Sequence, residues 1–236
     1  NCGYGAFIEA VGLAGLDYAI IDTEHGPLSI DTAEDLCRAA QGVGLAPIIR
    51  MRANEPSLIQ RALDIGSAGV QVPQIETRED AEAVVRAAKY APLGRRGLSY
   101  YTRAGDYAIH GTDGVTDALN REQLVIIHVE GVRGLENLDG ILSVGGVDVV
   151  FLGPYDLSQS FGIPGQVNDP RVIAGMERAT RQIRAAGKWA GTFAADPATA
   201  RRWMDLGVQY ISLGVDVGIF ASACRELVSR LREGPP

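Results

Sequence analysis

The amino-acid sequence predicts one α/β domain over residues 1–236, a (β/α)8 TIM barrel, on three observations. Short, nearly continuous apolar runs rich in β-branched residues recur seven times, as expected of parallel strands buried on both faces. Amphipathic stretches rich in Ala, Arg and Glu separate them, which implies crossover helices and a parallel sheet. The length, 236 residues and 25.1 kDa, suits one barrel, which takes about 250 residues, better than it suits two domains.

The elements follow in order. NCGYGAFIEAVGLAGL reads as a loop plus a helix leading into the first visible strand. The apolar runs are DYAIID (17–22), APIIRM (46–51), GVQVP (69–73), LVIIHVE (124–130), VDVVFLG (147–153), WAGTF (189–193) and YISLGVD (210–216). Helices are expected at 31–42, 56–65, 77–89, 135–143, 170–186, 197–206 and 218–232. Pro56, Pro170 and Pro197 fit first helical turns. Gly44, Gly66, Gly187 and Gly207 fit positions just past helix ends. Seven strands leave a barrel one short, so the expectation is a first strand lying before residue 1. Between Pro73 and Glu130 the second half is Gly- and Tyr-rich and poorly periodic. It is expected to be a long loop on the active face with short irregular helices. A doubly wound open sheet would need a Gly-rich phosphate turn after an early strand; no dinucleotide or Walker-type fingerprint stands there.

Apolar residues make up 46% of the chain and its net charge is −7. That argues against bulk binding of nucleic acid or anionic membrane. No apolar run approaches the ~18 residues of a membrane span. Cys2, Cys37 and Cys224 are an odd count without metal-ligand spacing, and a cytoplasmic, reducing location is expected. Of 22 basic residues only Lys89 and Lys188 are lysines.

In a barrel enzyme the chemistry sits where strands end. Those ends carry Asp22, Glu24 and His25; Arg50 and Arg52; Gln71 and Gln74; His128 and Glu130; Asp156; and Asp216. A strand buried on both faces needs no Arg or Glu for folding. Glu130 and Asp156 close consecutive strands, and two adjacent carboxylates call for a proton or a cation between them. Oxygen-only ligation suits Mg²⁺ or Mn²⁺. The structural alternative is one carboxylate paired with Arg50 and the other capping a helix. Arg50 itself needs an anion, from the protein or from a substrate oxygen. In Gly153-Pro154-Tyr155-Asp156, Pro154 has no N–H, so the amides available to an anion are those of Tyr155 and Asp156.

Taken together, IDTEHGP, APIIRM, GVQVPQIET, LVIIHVEGVRGLENLDGIL, VFLGPYDLSQSFG and ISLGVD resemble the metal-dependent (class II) pyruvate aldolases of the phosphoenolpyruvate/pyruvate barrel superfamily, from about residue 8 to 232. The resemblance implies reversible retro-aldol cleavage of a 4-hydroxy-2-oxo acid to pyruvate and an aldehyde. It implies Glu130 and Asp156 as ligands of Mg²⁺ or Mn²⁺, with Co²⁺ also used. Arg50 resembles the residue that binds the keto oxygen, and Asp22 another active-site acid. His25 resembles the proton-handling residue, with Asp64 as its dyad partner. The amides of Tyr155 and Asp156, together with Gly153, correspond to the substrate-carboxylate site, and Val215 to an apolar pocket wall. Where such aldolases often carry Gln two residues before the metal-binding Glu, this chain has His128, expected beside substrate and metal. A homo-oligomer, a hexamer by resemblance, is implied, because Asp64 at the far end of its helix reaches His25 only across subunits. Residues 97–112 are expected to line the aldehyde pocket. Two rivals stand beside this reading. One is a citramalyl- or malyl-thioester lyase, with Arg95-Arg96 as its nucleotide site. The other is a silent oxo-acid-binding barrel in which His128 has spoiled the metal site. A lysine Schiff base is disfavoured, because Lys89 ends a helix and Lys188 precedes a strand.

Overall fold

A computed structural model describes residues 2–233. Seven strands form one parallel sheet in chain order: β1 (Tyr18–Asp22), β2 (Ala46–Arg50), β3 (Gly69–Val72), β4 (Leu124–Val129), β5 (Val149–Leu152), β6 (Trp189–Ala194) and β7 (Tyr210–Leu213). Among the described residues β7 and β1 share no backbone pairing. Their side chains nevertheless meet. Tyr18 stacks on Tyr210 with ring centroids 4.2 Å apart, and its hydroxyl lies 3.3 Å from Ser212 Oγ. The sheet is therefore curled into a nearly closed barrel of the (β/α)8 type.

The helices are α1 (Gly5–Leu13), α2 (Ile30–Gly42), α3 (Pro56–Asp64), α4 (Arg78–Ala88), α5 (Val115–Glu122), α6 (Val132–Glu136), α7 (Leu138–Leu142), α8 (Pro154–Ser160), α9 (Pro170–Ala185), α10 (Pro197–Asp205) and α11 (Asp216–Glu233). Proline opens α3, α8, α9 and α10, where its missing N–H costs nothing. Thr77 and Asp80 close a reciprocal capping box at α4. The helix expected at 135–143 is two short helices broken at Asn137, whose side-chain amide donates to the carbonyl of Glu76. None of the helices is long and apolar enough to cross a membrane.

The core has two layers. Ile48, Ile126, Val149, Phe151 and Tyr210 fill the barrel interior. A larger cluster, including Ile49, Val70, Val125, Val150 and Leu63, packs between the sheet and its helices. Strand alternation sends successive side chains to these two layers.

The Gly- and Tyr-rich loop lies on the rim opposite to the one expected. The segment between α4 and β4, with 97–112 in it, does not lie on the active face. Helix α4 returns from the C-terminal end of β3, so it exits at Ala88 on the opposite rim. The segment is pinned there. Lys89 Nζ donates to the carbonyls of Asn120 and Gln123, immediately before β4. Arg96 donates to Gln123 Oε1, and Arg103 donates to Gln41 near the end of α2.

Candidate active site

The inward-facing register delivers the site. Tyr18, Ile20 and Asp22 alternate into the barrel along β1, as do Ile48 and Arg50 along β2. Ile126 and His128 do so along β4, with Glu130 next in that register, and Val149 and Phe151 along β5. In the sheet Asp22 is opposite Arg50, Arg50 opposite Gln71, and His128 opposite Phe151. The apolar members fill the barrel and the polar members cap it at the strand ends.

Arg50 donates to Asp22 through two atoms, Nε to Oδ1 at 2.9 Å and Nη2 to Oδ2 at 2.6 Å. The alternative in which Arg50 pairs with a protein carboxylate is thus realised, but only with part of the fork. Nη1 remains, 3.4 Å from Glu24 Oε2. Burial alone would push the Asp22 carboxyl up. The Arg50 hydrogen bonds and charge, with the backbone N–H groups of Glu24 and His25, hold it below the ordinary value.

Glu130 is held at both oxygens. The Gln74 backbone N–H donates to Oε1 at 2.9 Å, and His128 Nδ1 lies 3.0 Å from Oε2. Gln74 is a non-glycine residue at φ 58°, a left-handed conformation that turns its N–H toward the carboxylate. Burial raises the Glu130 carboxyl, but the hydrogen bonds from His128 and from the Gln74 backbone N–H outweigh it and hold it below the ordinary value. Asp156 faces the same space. A Cβ built on Gly153 would stand 2.9 Å from Glu130 Oε2 and 3.7 Å from Asp156 Oδ2. Burial raises the Asp156 carboxyl, and the charge of Glu130 adds to the rise. The Glu24 acid, with its side chain only 13% exposed, is raised by burial and by Glu130, while Arg50 opposes.

Glu24 stands among the strand-end polar residues of the sequence but carries no assigned role there. It stood in IDTEH between two candidates, and only the fold shows that it points inward. His25 is the opposite case. It sits at this rim with a side chain 68% exposed, and its nearest charged partner is Glu24 at 4.0 Å. Tyr155 is half-exposed at the start of α8, its ring 5.9 Å from that of Phe193. Val215 is exposed just past β7. Asp64 is not in this group. It ends α3 on the opposite rim, 2.5 Å from Nη2 of the buried Arg96.

The donor set fits a hard divalent cation. Two carboxylates converge, Glu130 lowered by its hydrogen bonds and Asp156 raised by burial and by the charge of Glu130, and each Glu130 oxygen spends one acceptor site on the protein. Among the described residues no group of three or more His, Cys, Asp or Glu converges as a metal cluster, so water and substrate would complete the shell.

Comparison with known proteins places this geometry. Residues 4–223 match the HpcH/HpaI aldolase/citrate lyase family. The chain belongs to that family. It is 40% identical to a hydroxypyruvate/pyruvate aldolase of Cupriavidus necator, over 96% of this chain and 84% of that protein. It is 36% identical to a 5-keto-4-deoxy-D-glucarate aldolase of Escherichia coli, over 95% and 87%. A crystal structure of an HpcH/HpaI aldolase/citrate lyase family protein from Burkholderia cenocepacia superimposes with a TM-score of 0.92 at 33% identity, covering 98% of this chain and 91% of that one. The protein is a carbon–carbon lyase of the HpcH/HpaI family. Arg96, half of the pair considered for a thioester's nucleotide, is buried on the wrong rim and bound to Gln123 and Asp64. Lys89 and Lys188 both bond backbone carbonyls at that rim, which removes them from imine chemistry.

Proposed function

We propose that this lyase reversibly cleaves a 4-hydroxy-2-oxo acid to pyruvate and an aldehyde, with Mg²⁺ or Mn²⁺ held by Glu130 and Asp156. The observation that carries the reading is the convergence of those two carboxylates over Gly153, beside an arginine whose Nη1 is not taken by Asp22. When bound, the cation supplies Lewis-acid polarisation of the 2-oxo acid.

The chain's own residues do the rest. Asp22 holds the guanidinium of Arg50 by two hydrogen bonds and so aims Nη1 at the 2-oxo oxygen. Negative charge grows on that oxygen as the C3–C4 bond breaks, and a fixed donor there lowers the barrier. The C3–C4 electron pair becomes the enolate of pyruvate, the 4-hydroxyl proton leaves, and the aldehyde departs. His25, at the solvent-facing rim, relays the proton through water and later returns one to C3. Its dyad partner is Asp64 of a second subunit, so the active unit is a homo-oligomer, taken here as a hexamer.

Exchange of pyruvate methyl protons with deuterium tests the reading. Chelator-treated protein should lose exchange and Mn²⁺ should restore it. Full exchange in chelator would exclude the metal role.

A further inference from the structure

Below the carboxylates the barrel interior holds a file of polar side chains that the proposed reaction does not use. The Tyr210 hydroxyl donates to Gln71 Oε1 at 3.1 Å. Gln71 Nε2 contacts His128 Nε2, and His128 Nδ1 reaches Glu130 Oε2 at 3.0 Å. Gln71 is 1% exposed and His128 2%, so no solvent water competes for these groups. The His128 ring is also clamped against Phe151, with centroids 4.5 Å apart. Tyr210 is clamped in the same way on Tyr18.

The file has a direction. With the Tyr210 hydroxyl donating to Gln71 Oε1, the amide presents its Nε2 to the imidazole. Two N–H groups cannot face each other within hydrogen-bond distance, so His128 Nε2 is an acceptor. Its one proton is then on Nδ1, and the ring is a donor to Glu130 Oε2. A flipped Gln71 would present Oε1 to the ring and draw the proton to Nε2. The lone pair of Nδ1 would then point at a carboxylate oxygen.

We infer that Tyr210 and Gln71 are positioning residues for Glu130: through His128 they fix which lone pairs of that carboxylate are used by the protein and which are left for a cation. The inference rests on the proposed metal role of Glu130, but its first consequence, the position of the imidazole proton, holds without a metal. Outer partners of ligating groups typically change metal affinity by about 10–100-fold when removed.

The experiment uses full-length protein labelled with ¹⁵N-histidine, with the variants Gln71→Met and Tyr210→Phe. Both keep side-chain volume, and Tyr210→Phe keeps the ring stack. In metal-free wild type, long-range ¹H–¹⁵N spectra should show one histidine as the Nδ1-protonated tautomer, lost in a His128→Phe control. In Gln71→Met that pattern should give way to a mixture, and Mn²⁺ should bind about tenfold more weakly by calorimetry. Tyr210→Phe should move both readouts the same way by less. Thermal melts identify a variant that has merely unfolded, and Tyr210→Phe then carries the test. A wild-type His128 protonated on Nε2, or unchanged tautomer and Mn²⁺ affinity in both folded variants, would overturn the inference. Failure of the aldolase reading looks different: wild type would bind Mn²⁺ with the tautomer in place and still not exchange pyruvate protons.

Discussion

Gly153 has φ −85° and ψ 102°, a conformation open to any residue, so its backbone gives no reason for glycine. The reason is the carboxylate above it. An added methyl would stand 2.9 Å from Oε2 and 3.0 Å from Cβ of Glu130, closer than such atoms approach. Glu130 cannot yield easily, because Gln74 and His128 hold its two oxygens. Overpacking of this kind costs about 1–3 kcal/mol, and here it falls on the atom that would meet the metal. Gly153→Ala should therefore fold with a modestly lower Tm and lose Mn²⁺ affinity and deuterium exchange at least tenfold, about 1.4 kcal/mol. Melting curves and Mn²⁺ titration measure the two effects separately. Wild-type metal affinity in a folded Gly153→Ala protein would mean that the Glu130 side chain is not held where the cation binds.

At the scale of elements, the strands and most helices were legible because both-face burial writes continuous apolar runs. Helix α2 starts one residue before the expected 31, and α9 ends one residue before the expected 186. Three features were not legible. The break between α6 and α7 depends on Asn137 reaching a carbonyl 61 residues away in sequence. Helix α8 is short and follows a Gly-Pro turn, so it carries little periodicity. The segment before β4 was placed on the wrong rim, because its Gly and Tyr content looked like a binding loop whereas its position after a helix decides its face. Gln123 holds that segment: Nε2 donates to the carbonyls of Leu63 and Ser67, and Oε1 accepts from Arg96. Gln123→Leu keeps the apolar bulk and strands a buried guanidinium N–H with two buried carbonyls. Each such group costs about 1–3 kcal/mol, so Tm should fall by several degrees while exchange at 25 °C persists in the folded fraction. A Tm unchanged from wild type would show that the rim is held by other contacts.

At the scale of the molecule, two features are unfinished in a single chain. Residues 217–232 of α11 are exposed throughout, among them Ile219, Phe220, Leu227 and Leu231. His25, at the catalytic rim, has Glu24 at 4.0 Å as its nearest charged partner among the described residues, while Asp64 stands at the other rim with 17% of its side chain exposed and its carboxylate on Arg96. A charge held by a buried arginine is an anchored charge, able to project from one subunit toward another without collapsing onto its own surface. The shared-site assembly proposed above uses the second feature, and light scattering should give a mass well above 25.1 kDa. The sharper test is complementation. His25→Ala and Asp64→Asn subunits should each be inactive alone. Co-expressed in equal amounts and assembled at random, they should regain activity at about a quarter of the sites, those pairing the intact histidine of one parent with the intact aspartate of the other. If each site were built within one chain, every site in the mixture would lack one partner and no ratio of the two would restore exchange. Asp64→Asn must be shown folded, since it also loosens Arg96, and a melt within a few degrees of wild type meets that need. Silence of the mixed assembly at all ratios, from folded parents, would return Asp64 to a purely structural role as the partner of Arg96.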